Sequence, residues 1–362
     1  MKTLSDKLEW AKTQPWATAM SACPQNPKWH GEGDVWKHTL LCCEALEKLS
    51  EYKDLNHIEM NIVEWAMIFH DIGKPETTTI QDGEVITNNH SGKSCHLARQ
   101  ILMQMKTPFH YRERICNLIR WHMFPARIVR VPDSVAHVVF TSCLCENRLL
   151  YVIGKADAFG KISENHDSET AVEIWKEECC KFGCFLNPYL FHNSLARYEF
   201  YQSKKFQPYY IPYTDDMFEV IILSGLPGTG KTTYADKQYH NLPLIELDMT
   251  REEFGVKPGE DEPRVIAATK EKCLELLRKK RPFVFGAVNH IKSRRERWTK
   301  MAAGYGAEVT IVYLEKPIEV VLKQNKSRER VVPESVIYDM RDCLEVPNWD
   351  ECHELVFKCD DN

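Results

Sequence analysis

The protein has 362 residues, of which 43% are hydrophobic and 27% charged, with a formal net charge of −5. These values are typical of soluble globular proteins and exclude a disordered or fibrous chain. No stretch reaches the roughly 18 consecutive apolar residues of a membrane span, and the polar start MKTLSDKLEWAKTQ lacks the apolar run of a signal peptide. We therefore expect a cytoplasmic protein with no membrane partner, and the length predicts two domains of roughly 100–200 residues each.

The first half of the chain is predicted to be mostly α-helical. Apolar residues recur at helical spacing in five segments, namely 35–50, 58–70, 90–106, 110–122 and 135–160, and 167–181 adds one more helix that begins with a good cap composition. A hairpin around Thr77–Thr87, with Asp82 and Gly83 at its turn, is the one strand signal before residue 215.

An aromatic segment, FLNPYLFHNSLARYEFYQSKKFQPYYIPYTDD, separates the two halves and is too apolar for a free linker. We place the boundary near residues 205–217, with a first domain of residues 1–205, connector included, and a second of residues 217–362. After Asp216 short apolar strands alternate with helices, beginning with FEVIILSG, LPLIELD, PFVFGAVN and AEVTIVYLE. This alternation predicts an α/β domain built on a parallel sheet with helices on both faces.

The helical half carries histidines and aspartates that can form a metal site, and each helix contributes one or two of them. A single histidine on an apolar face is more often part of the core, but residues from facing helices of a bundle commonly converge on a metal. Imidazole and carboxylate ligands suit one or two ions of Mn, Fe, Co, Ni or Zn, which acidify a bound water. The candidates are His38, His70, Asp71, His90, His122 and Asp157.

The second half contains a complete phosphate-binding motif, GLPGTGKT, between a predicted strand and a predicted helix. Backbone amides of such a loop cradle phosphate oxygens. Lys231 is expected to neutralise the β and γ phosphates, and Thr232 to ligate Mg²⁺. We therefore predict binding of ATP or another NTP with Mg²⁺ by Gly225, Pro227, Gly228, Thr229, Gly230, Lys231, Thr232 and Thr233.

Three further residues indicate a kinase. The strand LPLIELD is predicted to end at Asp248, where a carboxylate could accept the proton of a hydroxyl nucleophile; a helix cap or a water-mediated Mg²⁺ contact is the alternative. Arg251 could hold a substrate phosphate. In the basic segment LKQNKSRERVV, Arg328, or alternatively Arg330, could stabilise the transferred phosphoryl group, although such a run can also be a solvated helix face.

The motif FHDIGK, with VWKH upstream and KADAFG downstream, resembles the HD phosphohydrolase superfamily over about residues 30–165. The resemblance implies that His90 and His122 are the extra ligands of members with two metals. It also implies that Lys74 contacts the substrate phosphate beside the metal. Lys161, one helical turn after Asp157, is a further candidate phosphate contact.

Residues 218–340 resemble the 5′-hydroxyl polynucleotide kinase domain of the phage kinase-phosphatase. The shared features are the phosphate-binding loop, Asp248 with Arg251, and Asn325 with Arg328 before Val332-Pro333. Two departures put the grip on the acceptor nucleotide and the stabilisation of the transferred phosphate in question, respectively. Ala287-Val288-Asn289 stands where the phage enzyme has Asp-Thr-Asn, and Gln324 replaces a second arginine.

As a whole, the chain looks like the bacterial HD-Pnk family of RNA end-healing enzymes. This resemblance implies phosphorylation of 5′-OH ends and removal of 2′,3′-cyclic, 2′- or 3′-phosphate. The implied partners are RNA or DNA ends, an NTP and an RNA ligase acting downstream, while a homodimer is left open. Two rival hypotheses remain, namely an HD nucleotidase fused to a nucleoside or small-metabolite kinase, and a nucleotide-sensing regulatory protein.

Overall fold

The computed structural model describes residues 3–164, 166–202 and 210–359, and the chain divides into two compact units, Met1–Leu190 and Phe191–Asn362. The division predicted near residues 205–217 falls partly on residues 203–209, outside the described ranges. The segment before it, 191–202, was predicted to belong to the first domain but lies in the second unit. No helix within the described ranges has the length and apolar character needed to cross a membrane.

The N-terminal unit is helical apart from one hairpin, as predicted. Its elements are α1 Leu4–Lys12, α2 Pro15–Ala22, α3 Val35–Lys48, α4 Ser50–Lys53, α5 His57–Phe69, α6 Lys74–Thr77, β1 Thr78–Gln81, β2 Glu84–Thr87, α7 His90–Gln104, α8 Phe109–Trp121, α9 Phe124–Arg127, a 3₁₀ turn Ile128–Arg130, α10 Ser134–Ser142, α11 Asn147–Phe159 and α12 Asp167–Lys181.

Helix α5 is the centre of this unit. It begins with a capping box, in which the Asn56 side chain accepts from the Glu59 amide and the Glu59 carboxylate accepts from the Asn56 amide. From Ile62 to Phe69 every residue is buried, so the helix is surrounded by others rather than lying on the surface. Its C-terminal end therefore delivers the next residues, His70 and Asp71, into the interior.

The predicted hairpin is confirmed. Strands β1 and β2 pair antiparallel, with Thr78 opposite Thr87 and Gln81 opposite Glu84. Asp82 (φ 51°) and Gly83 (φ 82°) form the two-residue turn, and positive φ at both positions matches the twist of the strands that they join.

The helix predicted over 135–160 is instead two helices, α10 and α11, separated by residues 143–146. The side chain of Asn147 bridges the break, because its Nδ2 donates to the carbonyl oxygens of Val138 (3.1 Å) and Cys184 (2.9 Å) and its Oδ1 accepts from Thr141 (2.7 Å). The bond to Val138 satisfies a carbonyl near the end of α10, and the bond to Cys184 connects the break to a segment outside both helices. Apolar spacing alone could not show this.

The C-terminal unit is an α/β domain. Its elements are α13 Ser194–Gln202, β3 Phe218–Ser224, α14 Lys231–Gln238, β4 Leu244–Glu246, α15 Leu247–Phe254, α16 Glu262–Arg278, β5 Phe283–Gly286, α17 Lys292–Gly304, β6 Ala307–Glu315, α18 Ile318–Lys326, α19 Glu334–Asp342 and β7 Glu354–Cys359.

The sheet of this unit has the strand order β4-β5-β3-β6-β7, and each neighbouring pair is parallel. Successive residues of β3 pack on opposite faces: Ile222 joins a cluster with Phe285 and Trp298, whereas Leu223 joins one with Ala235 and Val312. Burial on both faces is the hallmark of a parallel sheet covered by helices. The predicted fold class is confirmed, and β7 is a fifth strand that the sequence analysis did not identify.

Candidate metal centre and phosphate-binding loop

The six predicted metal ligands lie together in the N-terminal unit, and all six are buried. His38 comes from α3, Asp157 from α11, and His90 is the first residue of α7. His70 and His122 occupy equivalent places, directly after the last residues of α5 and α8. Three helices and the ends of two others therefore converge on one interior point.

Asp71 lies at the middle of this cluster. Its Oδ2 is 3.2 Å from His70 Nε2 and 3.6 Å from His38 Nε2, while its Oδ1 is 3.3 Å from His90 Nε2 and 3.9 Å from His122 Nε2. The two oxygens thus face different pairs of histidines. Asp157 completes the first pair, since its Oδ1 is 3.1 Å from His38 Nε2.

Hydrogen bonds fix which nitrogen of each ring faces the cluster. His70 Nδ1 donates to the Met67 carbonyl and His122 Nδ1 to the Ile119 carbonyl, both at 2.7 Å. His38 Nδ1 lies 2.9 Å from Glu32 Oε1. Each of these rings consequently presents Nε2 to the centre, the arrangement that outer partners impose on metal-binding histidines. The sequence analysis did not identify Glu32, because it precedes the helix that carries His38 and belongs to no motif.

Electrostatics favour a cation at this point. Burial lowers the pKa of His122 to about 3 and that of His90 to about 4, so both rings are neutral and can ligate. Burial alone would raise the pKa of Asp71, but the charges of His70 and Lys74 outweigh it, and this pKa lies well below its usual range.

The ligands fall into two groups that can each hold an ion. Asp71 Oδ1 is buried and has no hydrogen-bond partner among the described residues, which is an open acceptor in a dry site. Neutral imidazoles with carboxylates suit Mn, Fe, Co, Ni or Zn. The groups are His38, Cys42, His70 and Asp157, and Asp71, His90 and His122.

The two lysines predicted to contact phosphate lie against the ligand carboxylates. Lys74 Nζ is 2.7 Å from Asp71 Oδ2 and 2.6 Å from Gln25 Oε1. Lys161 Nζ is 3.4 Å from Asp157 Oδ1. Both amines thus offset the charge of ligands, and their contact with a substrate phosphate remains a prediction.

The phosphate-binding loop, residues 225–232, connects β3 to α14 at the carboxyl edge of the sheet. Gly225 has a φ of 146°, and a Cβ there would lie 2.3 Å from the Leu314 carbonyl oxygen, so both conformation and space require glycine. Gly228 and Gly230 also have positive φ, while Thr229 Oγ1 donates to the Leu226 carbonyl at 2.9 Å and holds the loop closed. Pro227 lies within the turn.

Lys231 curls back over this loop, with Nζ donating to the Gly225 (2.8 Å) and Leu226 (2.9 Å) carbonyls. Burial and then the charge of Arg328 lower the pKa of Lys231 to about 8. Thr232 and Thr233 are exposed. Lys231 and Thr232 thus lie together at the start of α14, and Arg328 is near enough for its charge to act on Lys231.

The prediction that Asp248 is the last residue of a strand is wrong, because β4 ends at Glu246 and Asp248 lies in the first turn of α15. Its carboxylate nevertheless remains near enough to raise the pKa of Lys231. Arg251 Nη1 contacts Asp248 Oδ1 at 2.5 Å, and its Nη2 contacts Glu262 Oε2 at 2.9 Å. The guanidinium of Arg251 therefore positions the Asp248 carboxylate. Arg251 could bind a substrate phosphate only if these ion pairs rearranged.

Asn325 holds the segment that carries Arg328. Its Nδ2 donates to the Val332 carbonyl at 2.7 Å and its Oδ1 accepts from the Val332 amide at 3.0 Å. Arg330, the alternate to Arg328, pairs at 2.9 Å with Glu252. The two arginines thus have different surroundings, and Arg328 is the one whose charge acts on Lys231.

Comparison with known proteins assigns each unit separately. A family model described as HD domain matches residues 35–148, and one described as AAA domain matches residues 220–347. The first match ends before Asp157 and Lys161, which are contributed by the end of α11 and the residues after it.

Known relatives match parts of the chain. L-seryl-tRNA(Sec) kinase of Methanococcus maripaludis is 27% identical over 143 residues, which cover 36% of this chain and 56% of that protein. The Multifunctional CCA protein of Halorhodospira halophila is 26% identical over 131 residues, covering 35% of this chain and 29% of that protein. The chain thus spans less than two thirds of the length of either relative.

Solved structures also align with part of the chain. A gluconokinase from Sinorhizobium meliloti aligns at 19% identity and a TM-score of 0.29, over 39% of this chain and 82% of that one. A shikimate kinase from Bacteroides thetaiotaomicron gives 18% identity and a TM-score of 0.29, over 39% and 86%. From the family matches, the chain combines an N-terminal HD domain with a C-terminal P-loop kinase-like domain.

Proposed function

We propose that these two domains repair broken RNA ends. The kinase-like domain transfers the γ-phosphate of an NTP to a 5′-OH end, and the HD domain removes 2′,3′-cyclic, 2′- or 3′-phosphate from the other end. The observation that carries the proposal is that one chain holds a buried cluster of metal-ligand type around Asp71 and, in its other domain, a phosphate-binding loop motif closed by Lys231.

In the HD domain, His38, His70 and Asp157 would hold one ion and His90 and His122 a second, with Asp71 between them. Bound ions would supply an acidified water and positive charge beside a phosphate ester. The chain's own contribution is orientation and charge. Carbonyl groups hold His70 and His122 with Nε2 inward, and Lys74 keeps Asp71 ionised.

In the kinase-like domain, Asp248 accepts the proton of the attacking hydroxyl while Arg251 fixes its carboxylate. Lys231 and Arg328, whose charges act on each other, would stabilise the negative charge that develops on the transferred group. Positioning and charge stabilisation of this kind supply most of the catalysis in phosphoryl transfer.

An RNA acceptor is supported by one relative. The archaeal relative is named as a kinase of L-seryl-tRNA(Sec), so its name puts its acceptor on a transfer RNA. Together with the sequence resemblance to polynucleotide kinases, this favours an RNA end over a free nucleoside. An RNA ligase that joins the two healed ends is the partner that such a product would serve, and the cytoplasm is the compartment that we propose.

The proposal is tested with an oligoribonucleotide that carries a 5′-OH and a 2′,3′-cyclic phosphate. With γ-labelled ATP and Mg²⁺ we expect label at the 5′ end, and with Mn²⁺, Co²⁺ or Ni²⁺ we expect inorganic phosphate from the other end. A nucleoside and a DNA oligonucleotide of the same sequence serve as comparison acceptors. Label on the nucleoside alone would contradict the proposal in favour of a small-molecule kinase.

A further inference from the structure

Glu246 is the last residue of β4 and belongs to no motif that the sequence analysis identified. Its position at the carboxyl edge of the parallel sheet is where such folds bind ligands. Thr232, the residue after the phosphate-binding lysine, donates its Oγ1 hydrogen to Glu246 Oε1 at 3.1 Å. The hydroxyl predicted to ligate Mg²⁺ therefore already contacts a carboxylate.

The neighbouring strand leaves room for this carboxylate. Gly286 is paired with Glu246 in the β4–β5 ladder. A Cβ at Gly286 would lie 2.6 Å from Glu246 Oε1 and 2.8 Å from its Cγ. Gly286 has no positive φ, so backbone conformation does not demand glycine there. Lack of space favours glycine instead, because the Glu246 side chain lies where a Cβ at Gly286 would be and extends toward the phosphate-binding loop.

The charges around Glu246 suit a divalent cation. The negative charges of Glu246 and Asp248 both act on Lys231, and the Thr232 hydroxyl contacts Glu246, so Glu246 lies beside the residues predicted to bind phosphate and Mg²⁺. Asp248 is already paired with Arg251. Glu246 has no ion pair with a lysine or arginine among the described residues and only the Thr232 hydroxyl as a side-chain hydrogen-bond partner, which leaves its charge for another cation.

We propose that Glu246 is the carboxylate that positions Mg²⁺ at the nucleotide, by accepting hydrogen bonds from water on the ion and by orienting the Thr232 hydroxyl toward it. Mg²⁺ keeps several waters and is usually held by one or two carboxylates together with substrate phosphates. This assignment rests on the proposed kinase function and separates two roles. Glu246 serves the metal, and Asp248 serves the acceptor hydroxyl.

The test is nucleotide binding by the full chain, measured by calorimetry with ATP at increasing Mg²⁺ and again in EDTA. Removing an outer partner of a metal ligand costs about 10- to 100-fold in metal affinity. For Glu246→Gln we expect a rise of about 10- to 100-fold in the Mg²⁺ concentration at which the enhancement of ATP affinity is half-maximal. The ATP affinity in EDTA should be unchanged. Gly286→Ala, which displaces the carboxylate without removing it, should change the midpoint in the same direction.

Glu275→Gln is the matched control, since it removes the same charge from the exposed face of α16, and it should keep the wild-type midpoint. Glu246→Asp, which retains the charge, should fall between Gln and wild type, and it provides the test if Glu246→Gln does not fold. A wild-type Mg²⁺ midpoint in Glu246→Gln, or an equal loss of affinity in EDTA, would overturn the assignment. If Glu246→Gln lost the Mg²⁺ enhancement but the wild-type protein phosphorylated no 5′-OH end, the assignment of Glu246 would stand and the proposed acceptor would be rejected.

Discussion

At the scale of single residues, Asp71 joins the two ligand groups of the HD domain. One of its oxygens faces His70 and His38 and the other faces His90 and His122. Its two oxygens thus contact histidines of both groups. The charge of Asp71 therefore acts on the histidines of both groups.

Asp71→Asn tests this position. We expect bound metal to fall and phosphate release from a cyclic-phosphate end to fall at least about 100-fold, because the amide removes the negative charge that lies between both groups of histidines. The kinase activity should remain. Metal content by mass spectrometry and the two end-specific assays give the readouts. Asp82→Asn, at the hairpin turn, is the matched control, and retained metal in Asp71→Asn would contradict the assignment.

Lys231→Ala is the complementary change. It removes the ammonium that curls over the phosphate-binding loop, and loss of such a charge clamp costs at least about 100-fold in rate. We expect loss of transfer to 5′-OH ends with phosphate release unchanged. Lys237→Ala, an exposed position on the same helix, serves as the control. If Lys231→Ala abolished both activities in a folded protein, the two sites would not be independent.

At the scale of elements, Asn325 joins the two ends of the segment between α18 and α19. Asn325 is fully buried and makes both hydrogen bonds to the backbone of Val332. The residues between them include Arg328, so the position of that guanidinium depends on a bond pattern made at the two ends of the segment.

Asn325→Ala should reduce the rate of phosphoryl transfer nearly as much as Arg328→Ala does. The reason is that freeing Val332 lets the segment move and withdraws Arg328 from Lys231. Because the two residues act through one element, their effects should be strongly non-additive in the double variant. Single-turnover transfer rates of the four proteins measure this. Simple multiplication of the two effects would show that Asn325 acts elsewhere.

At the scale of the whole molecule, several buried histidines make stability sensitive to acid. His353 is an example in the kinase-like domain. Its Nδ1 accepts from the Val309 amide at 3.0 Å, and its ring stacks on Tyr198. Burial and then the charge of Arg197 lower the pKa of His353 to about 4. Protonation of His353 at Nδ1 would remove the hydrogen bond that this nitrogen accepts from the Val309 amide.

The sign of the pH effect follows from that depressed pKa. The unfolded chain binds a proton at His353 near pH 6.5 and the folded chain only near pH 4. The contribution of this group to stability is thus present above pH 6.5 and is lost as the pH falls toward 4. His353→Gln, whose amide oxygen can accept from Val309, should reduce the loss between about pH 7.5 and about pH 5.5 by about 1 kcal/mol.

Urea unfolding at the two pH values measures this difference. His240→Gln, at an exposed position, should leave the pH dependence unchanged. An identical pH dependence in His353→Gln and wild type would show that this ring is not kept neutral by the fold.

The sequence by itself determined the helical and α/β classes and the hairpin, and it predicted the histidines and aspartates that the structure brings together around Asp71. Each of these features can be predicted from a short stretch of the sequence. Apolar periodicity, the Asp82-Gly83 turn and the GLPGTGKT loop each depend on residues within a few positions of one another.

Only the tertiary structure decided how the parts meet. The break between α10 and α11 depends on Asn147 reaching Cys184, and the role of Glu32 depends on its contact with His38. Glu246 is significant because Thr232 and Gly286 surround it. Glu32 and His38 are close in sequence but lie outside one common helix, and the other partners are distant along the chain. A single hydrogen bond or missing Cβ leaves no periodic pattern from which such a contact could be predicted.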